Sequence, residues 1–310
     1  MLGDVLLEDD NFFNYKNKPK MSDIEIVALA LTAESLGIDS ENLLFSKLRS
    51  EFLSDFPRLP DRSNYNRRRK RLQDYLVWIS DSIAKTISPD ENQFILDSIP
   101  VPICANPRIS RSKICKDDPE VMPRRSYHAS HKSHYYGFKM QLVISKKGVP
   151  ISLGMTSANV HDIQYLQHLE KDKLSDSEII ANKGYLSLGY QTSLFENDRI
   201  RLVTPLRANM KRRETTWNPN YRYVRKRIET LFSQMCDQLY LKRNYAKTLN
   251  GLFARMCTKI SSVVVLNINF LNGKPLNHLK HALGNQTAQR FFFSIFILLF
   301  FYYFFSRNVI

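Results

Sequence analysis

The segment Arg225–Met235 reads RKRIETLFSQM, and its apolar residues recur at the spacing of one helix face. Such a period predicts an amphipathic helix that packs against a core. Glu229 lies at the edge of the apolar stripe, next to the positive run Arg225–Arg227, where a carboxylate could ligate a metal that acts on a phosphodiester. The alternative is an ordinary i,i+4 ion pair between Arg225 and Glu229 on a solvated face. The stripe itself consists of Ile228, Leu231, Phe232, Met235 and Leu239.

A second informative segment is Gln93–Ile103, which reads QFILDSIPVPI. Its apolar residues predict a buried strand, and Asp97 interrupts them. Asp is depleted inside strands, and a buried carboxylate is costly unless it is paired or bound to a metal. Asp97 is therefore a candidate metal ligand, and the alternatives are that it caps a loop or pairs with an arginine.

The charge balance of the chain indicates a polyanionic partner. The 310 residues include 45 Lys and Arg against 30 Asp and Glu, which gives a formal net charge of +15. Nucleic acid is the expected partner for such an excess, and an anionic membrane surface is the weaker alternative. The chain shows no signal peptide, internal repeat or Gly-rich phosphate loop. Its four cysteines lack C-x-x-C spacing, so we expect reduced thiols in a cytoplasmic protein.

The N-terminal part of the chain predicts a small helical domain. Residues 1–20 are expected to be a disordered lead-in, followed by a helical DNA-binding domain over residues 21–86. Ser22 and Glu25 form a capping box that opens the first helix. A second helix is predicted from about Glu41 through Phe52, before the Pro57 and Pro60 punctuation.

A third helix is predicted after Asp61, where it starts with a basic cluster and continues to Ile79. Three short helices with this basic segment in the last one resemble a helix-turn-helix-type DNA-binding module. The alternative is a solvated basic helix on an all-helical cap. The predicted DNA-binding residues in this helix are Arg62, Arg67, Arg68, Arg69, Lys70 and Arg71.

The rest of the chain, over residues 91–284, predicts an α/β domain. Period-two alternation and short apolar runs predict strands at Gln93–Ile103, Tyr135–Ile144, Ile151–Thr156, Glu178–Ala181 and Arg201–Pro205. A helix is predicted to start near Asn159–Asp162, with Asn159 or Asp162 as its cap. The apolar helix Leu252–Leu271 is expected to pack on the sheet.

Two basic stretches and the C-terminal tail interrupt this pattern. Residues 105–134 predict a flexible, DNA-facing loop, and residues 207–227 add further DNA-binding candidates at Arg212, Arg213 and Arg225. A zinc site is the alternative for the first stretch, although zinc normally uses tighter spacings than those of Cys104, Cys115, His128, His131 and His134. Residues 287–310 form an apolar, aromatic tail that is shorter than the ~20 residues of a membrane-spanning helix and is expected to lie outside the domain.

Several short motifs together resemble those of a known family. They read LTAESLGIDSE, FPRLPDRSNYNRRRKRL, DSIP, YYGFKMQLVIS, TSANVHD, ANKGY, RKRIETLFSQMCDQ and KRNYAKTLNGLFARM. Their order is similar to that of transposases of the insertion sequence 982 family, which are bacterial DDE transposases. The resemblance implies a ribonuclease-H-like catalytic domain, with a mixed sheet flanked by helices, preceded by a small helical domain of helix-turn-helix type.

The resemblance also implies a function, a site and partners. DDE transposases cut and join DNA strands with two divalent ions, normally Mg²⁺ and sometimes Mn²⁺, held by three carboxylates. Asp97 matches the first carboxylate, position 182 the second and Glu229 the third, while Arg225 matches a basic position that would neutralise a phosphate. The expected partners are double-stranded DNA, as element terminal inverted repeats and target, and further copies of the chain assembled on that DNA. No stable membrane partner is expected.

The chain departs from the family pattern at position 182. The pattern has Asp-Lys-Gly-Tyr, and this chain has Asn182 followed by Lys183, Gly184 and Tyr185. A neutral amide oxygen can ligate a metal, but it does not balance its charge. Two hypotheses follow: a transposase with impaired activity from a decaying element copy, or an inactive DNA-binding relative that competes with or represses intact transposase.

Overall fold

The computed structural model describes residues 7–129, 132–207, 210 and 217–271. They form helices α1 (Asp23–Ser35), α2 (Glu41–Glu51), α3 (Arg62–Arg71), α4 (Gln73–Ile87), α5 (Leu188–Asp198), α6 (Tyr221–Gln238) and α7 (Leu249–Leu271). The strands are β1 (Gln93–Cys104), β2 (Arg124–His128), β3 (Ser133–Ser145), β4 (Pro150–Ser157), β5 (Glu178–Ala181) and β6 (Arg201–Val203). The chain divides into two compact units, a helical unit of residues 1–80 and 256–310 and a sheet unit of residues 81–255.

In the helical unit, the caps that the sequence predicts are present. Ser22 Oγ accepts a hydrogen bond from Glu25 N, and Glu25 Oε2 accepts one from Ser22 N, which completes the capping box of α1. Asp61 Oδ1 accepts from Asn64 N at the start of α3. These contacts satisfy backbone N–H groups that a helix N-terminus leaves unpaired, so the helices begin where their caps stand.

The segment before α1 is packed rather than loose. Asn11 and Phe12 are buried, Asp23 accepts hydrogen bonds from Phe12 N and Tyr15 Oη, and Phe12 stacks on Tyr75. The expected disorder of residues 1–20 therefore does not extend over this part. Only residues 1–6 of the lead-in lie outside the described residues.

The third predicted helix is divided in two. The chain leaves helical geometry at Leu72, and α4 begins at Gln73. Buried side chains continue at helical spacing across this break, from Tyr65 through Leu72 to Leu76 and Ile79. Periodicity alone therefore predicts one helix, because the apolar stripe is continuous although the backbone is not.

Helix α7 was expected to pack on the sheet, but from Met256 onwards it belongs to the helical unit. Lys259 Nζ donates to Glu34 Oε2 at 2.5 Å, and Ser262 Oγ lies 3.3 Å from Ser35 Oγ. Both contacts join α7 to α1 inside the helical unit. The segment Leu249–Leu266 is long and apolar enough to cross a membrane, but 83% of it is buried inside the protein. Its apolar character thus serves the packing of α7 within the protein.

The sheet unit has the mixed topology that the sequence predicts. Its order is β2-β3-β1-β5-β6, with β4 also paired to β3. Strand β3 runs antiparallel to β1, β2 and β4, while β5 runs parallel to β1 and β6 parallel to β5. This arrangement confirms the predicted α/β, ribonuclease-H-like class. Part of the predicted loop over residues 105–134 is regular, because β2 lies within it.

Strand β1 presents different chemistry on its two faces, because successive side chains alternate. Phe94 and Leu96 lie in a core cluster with residues of β5, α5 and β6. The opposite face includes Asp97, which contacts Arg225 of α6. Asp97 thus lies on the face opposite this cluster, beside Ile95 and Ile99, which are also buried.

Candidate active site

The strand register brings Asp97 and Asn182 together. Leu96 of β1 is paired with Ala181 of the parallel strand β5, so the next residue of each strand lies at the same level. Asn182 Nδ2 donates to Asp97 Oδ1 at 2.6 Å. Asn182 directly follows the carboxyl end of β5, and the carboxyl ends of parallel strands are the usual place for ligands in open α/β sheets. These two predicted site residues, far apart in the chain, therefore occupy a position suited to chemistry.

The orientation of the Asn182 amide follows from its second hydrogen bond. Asn182 Oδ1 accepts from Gly184 N at 2.6 Å. A flipped amide would place the NH₂ group against the Gly184 N–H and the oxygen against the Asp97 carboxylate, so both contacts would be repulsive. Asn182 thus faces Asp97 as a hydrogen-bond donor and not as an oxygen ligand.

Gly184 permits this tight turn. A Cβ atom at position 184 would lie 2.8 Å from Asn182 Oδ1 and 3.1 Å from Asp162 Oδ2. Both distances are shorter than ordinary carbon–oxygen contacts. The Asn-Lys-Gly-Tyr motif therefore needs glycine at its third position because the backbone N–H must approach the side chain of Asn182.

Arg225 occupies the other oxygen of Asp97. Its Nη2 donates to Asp97 Oδ2 at 2.9 Å, and Ser98 N donates to Oδ1 at 2.9 Å. Glu229, one turn further along α6, has an oxygen 3.8 Å from Arg225 Nη2 and a side chain that is 59% exposed. The structure therefore brings together Asp97, Asn182 and Arg225, and it links Glu229 to them through Arg225.

The burial of Asp97 changes its acidity. Its side chain is 12% exposed, and loss of solvent raises the pKa of the carboxyl above its ordinary value. The positive charge of Arg225 and the hydrogen bonds from Ser98 and Asn182 oppose this rise. Asp97 is thus a buried acid whose ionised form depends on donors supplied by the protein.

A second polar network beside these residues was not predicted as a site. Asp162 Oδ1 accepts from Lys139 Nζ at 2.6 Å, Ser98 Oγ at 3.2 Å and Gln141 Nε2 at 3.3 Å. Gln141 Oε1 in turn accepts from Tyr185 Oη at 2.5 Å. The signal in the sequence was the pair Lys139 and Gln141, two polar residues on one face of an otherwise apolar strand.

This network holds the turn that follows β5. Tyr185 is fully buried, and burial together with the charge of Asp162 raises its pKa well above the ordinary value, so the phenol stays protonated and donates. Asp162 was expected to cap a helix or support its surroundings. It begins a short 3-10 helix that has no side-chain cap, and its carboxylate binds Lys139 across the sheet unit instead. Its role is support of the segment that carries Asn182 and Gly184.

The residues present do not fit a pair of Mg²⁺ ions. Hard divalent ions need several oxygen ligands, mainly carboxylates. Both oxygens of Asp97 already accept hydrogen bonds, Asn182 presents its NH₂ group there, and Glu229 extends towards solvent beside Arg225. Within the described part of the chain, no three His, Cys, Asp or Glu side chains are grouped in a way that could hold a metal.

The described residues also do not support the zinc alternative. Cys115 is buried, Cys104 and His128 are partly exposed, and these described residues form no ligand group with His134. His131 lies outside the described residues. Burial raises the pKa of Cys115 to about 12, which disfavours the thiolate that zinc requires.

The predicted DNA-binding residues are not all available. Arg62, Arg67 and Arg71 are exposed and Lys70 is partly exposed, whereas Arg68 and Arg69 are buried. Arg68 Nη2 lies 2.6 Å from Asp23 Oδ1 and Arg69 Nη2 lies 3.1 Å from Glu41 Oε1. These two guanidinium groups hold the helical unit together, so we withdraw them as DNA contacts. Arg212 and Arg213 lie outside the described residues.

Comparison with known proteins identifies a family. Residues 88–248 match a family model described as "Transposase DDE domain". No curated protein and no solved structure matches the chain. The matched segment covers more than half of the chain and spans β1 to α6, which carry Asp97, Asn182 and Glu229. The chain therefore belongs to the DDE-domain transposase family.

Proposed function

We propose that this chain is a transposase of the insertion sequence 982 family that binds the terminal inverted repeats of its element, and that its metal-dependent strand cleavage and transfer are impaired. The observation that carries the impairment is the hydrogen bond from Asn182 Nδ2 to Asp97 Oδ1. It puts a donor where this chemistry needs a negatively charged oxygen.

The charges of the three site positions support this proposal. Two divalent ions carry four positive charges, and the unaltered chain offers two carboxylates, Asp97 and Glu229. Members of the DDE transposase family use divalent metals, which activate the attacking oxygen and stabilise the leaving one. An aspartate at position 182 would add the missing charge and would also lose the NH₂ group that now binds Asp97. The residue at position 182 therefore determines both the negative charge of the site and whether Asp97 Oδ1 is free to bind a metal.

Arg225 keeps capacity for a DNA phosphate. Its Nη2 is shared between Asp97 and Glu229, while its buried Nε has no hydrogen-bond partner among the described residues. Because that Nε is closed to solvent, a phosphate oxygen would bind at the exposed part of the side chain, whose exposure is 18%. Arg225 thus has two tasks in this proposal, which are to pair with Asp97 and to orient a phosphodiester.

The proposed partner and cellular location are based on the positive net charge of the chain and on its transposase family. The exposed residues Arg62, Arg67 and Arg71 and the partly exposed Lys70 would contact the DNA backbone, together with Arg212 and Arg213. We propose double-stranded DNA as the partner, in the form of element ends and target, with assembly of several copies on that DNA. The place of action would be the bacterial cytoplasm, at the nucleoid.

A second candidate function is that of an inactive relative, which occupies element ends and competes with intact transposase. The donor geometry of Asn182 favours it, because Asp97 is satisfied without a metal. The two candidates share DNA binding and differ in chemistry. DNA cleavage by the unaltered chain distinguishes them, because only the impaired transposase would cleave DNA.

Strand cleavage on duplexes that carry the element ends tests the proposal. We expect slow nicking in Mg²⁺ by the unaltered chain and a rise of about three orders of magnitude for Asn182→Asp, which corresponds to ~4 kcal/mol of transition-state stabilisation. Mn²⁺ is less strict about ligand geometry and should rescue a trace of activity in the unaltered chain. Asn197→Asp, at an exposed position of α5, makes the same substitution away from the site and should leave the rate unchanged.

The outcomes separate the candidates. No cleavage by the unaltered chain in either metal, with cleavage by Asn182→Asp, supports the inactive relative. Equal rates in Mg²⁺ for the unaltered chain and for Asn182→Asp would show that position 182 is not the second ligand.

A further inference from the structure

The helical unit contains a cleft between α2 and the start of α3. It has a volume of about 470 Å³. Four of its residues, Asn42, Ser46, Arg49 and Ser50, share one face of α2, because they are spaced by three, four or one positions. The cleft is lined by Asn42, Phe45, Ser46, Arg49, Ser50 and Arg62.

The lining offers hydrogen-bond donors and no carboxylate. Phe45 is buried and forms an apolar wall, while the other lining residues are exposed. The Ser46 hydroxyl, one amide and two guanidinium groups therefore face a space that solvent can enter, whereas the Ser50 hydroxyl already donates to Ser46 O at 3.0 Å. This composition suits an oxyanion that takes several hydrogen bonds at once.

The two arginines of the cleft are weakly neutralised. Arg49 makes no hydrogen bond or ion pair with another described residue, and its guanidinium lies 5.9 Å from the centre of the Phe45 ring. Arg62 has one ion pair, with Glu41 at the long distance of 3.9 Å. Glu41 is itself held more closely by Asn66 at 2.7 Å and by Arg69 at 3.1 Å. Most of the positive charge of Arg49 and Arg62 is therefore not neutralised by other described residues.

We propose that this cleft binds a backbone phosphate of duplex DNA, with Arg49 and Arg62 as its charged contacts. This inference rests on the proposed function, and it adds α2 to the DNA-binding residues of the helical unit, which the sequence placed on α3. Arg, Ser and Asn side chains are among those that contact DNA phosphates. Exposed Arg67 and Arg71 on α3 lie in the same unit and add to its positive charge, which favours a polyanion over a small anion.

Binding of a fluorescent duplex to the full-length chain, measured over a range of salt concentrations, tests the proposal. Each neutralised phosphate adds about −0.9 to the slope of log affinity against log salt. We expect the double variant Arg49→Gln, Arg62→Gln to bind about tenfold more weakly near 0.1 M salt and to lose about one unit of slope. An unchanged thermal midpoint would show that the helical unit of the variant is folded.

Lys47→Gln is the matched control. It removes one positive charge from the same helix, but Lys47 does not line the cleft and is paired with Glu51 at 3.4 Å. The single variant Arg49→Gln should therefore lose clearly more affinity than Lys47→Gln. Equal losses would show that only the total charge of α2 matters and would overturn the proposal.

The remaining outcomes distinguish this inference from the proposed function. Unaltered DNA affinity of the double variant, with normal binding by the unaltered chain, overturns the cleft and leaves the transposase proposal standing. Competition of inorganic phosphate for the cleft without any effect of the variants on DNA would assign the site to free phosphate and also overturn it. Failure of the unaltered chain to bind any duplex would overturn both.

Discussion

Asn182 Nδ2 lies 2.6 Å from Asp97 Oδ1, just past the end of β5 and beside β1, which continues beyond Asp97 to Cys104. The amide satisfies a buried carboxylate in the place where a metal would otherwise be needed. Arg225 satisfies the second oxygen from α6. The chain can therefore hold this carboxylate in its folded state without a cation, and the consequences of that arrangement can be measured.

The first prediction concerns stability and metal. Asn182→Asp should lower the free energy of unfolding by about 2 kcal/mol in the absence of metal, because a donor to Asp97 is lost and a second carboxylate is placed beside it. Saturating Mg²⁺ should restore about 2.7 kcal/mol at a concentration 100 times the dissociation constant. Thermal unfolding with EDTA and with Mg²⁺ measures both effects.

The unaltered chain is the reference for this prediction, and its thermal midpoint should not respond to Mg²⁺. Asn197→Asp should behave like it, since its amide bonds Ser193 on the exposed side of α5. A clear Mg²⁺-dependent rise in the thermal midpoint of the unaltered chain would contradict a site that is stable without metal.

In the Asn182→Asp background, Asp97→Ala and Glu229→Ala should each abolish the restored nicking.

The second prediction concerns Arg225 and pH. Arg225→Met removes the main charge that opposes the rise in the pKa of Asp97, so this pKa should rise further. A buried carboxylate without its partner should cost about 3 kcal/mol of stability at neutral pH. Because a raised pKa means that the folded state holds the proton more tightly, stability is lost as pH rises through that pKa, and the deficit should shrink in acid.

Carbon NMR of labelled aspartate side chains measures the pKa directly, and unfolding from about pH 4 to 8 measures the deficit. Arg222→Met removes a charge from an exposed position of the same helix and is the control. A deficit that is the same at both ends of this pH range would contradict the assignment to the Asp97 charge.

The third prediction separates two neighbouring arginines of α3. Arg68→Ala should destabilise the helical unit by about 3–5 kcal/mol, because it leaves the buried Asp23 carboxylate without its positively charged partner. Arg67→Ala, at an exposed position, should leave stability unchanged and should weaken DNA binding while lowering its salt dependence. Unfolding curves and salt titrations of both variants check this, and the reverse assignment of effects would refute it.

The fourth prediction concerns the contact between α7 and α1. Lys259 is fully buried and bonds Glu34, so Lys259→Met alone should cost about 3–5 kcal/mol. The double variant Lys259→Met, Glu34→Leu replaces both charges by apolar groups and should recover most of that loss. Equal stabilities of the single and double variants, determined by denaturant unfolding, would argue against a direct pair.

Much of the architecture could be predicted from local patterns. Alternation and apolar runs identified β1 and β5, and the capping residues Ser22 and Asp61 identified the starts of α1 and α3. These signals are local, since each depends on residues within a few positions of one another. The motif order then predicted the ribonuclease-H-like class, which the strand order confirms.

Local patterns failed where a residue's role depends on distant parts of the chain. A run of basic residues predicted Arg68 and Arg69 as DNA contacts, but partners on α1 and α2 bury them. An apolar helix predicted packing on the sheet, but most of α7 lies in the other unit because of residues such as Lys259. The composition of a segment indicates whether the segment is buried or charged. It does not identify the surface against which the segment packs.

By itself, the sequence determined the fold class, the family pattern and the departure at Asn182. Tertiary structure alone decided what that departure does, because the direction of the amide depends on Gly184 N–H on one side and on Asp97 on the other. Side-chain type defines which hydrogen bonds a residue can make. The register of β1 against β5 decides which of those bonds Asn182 makes.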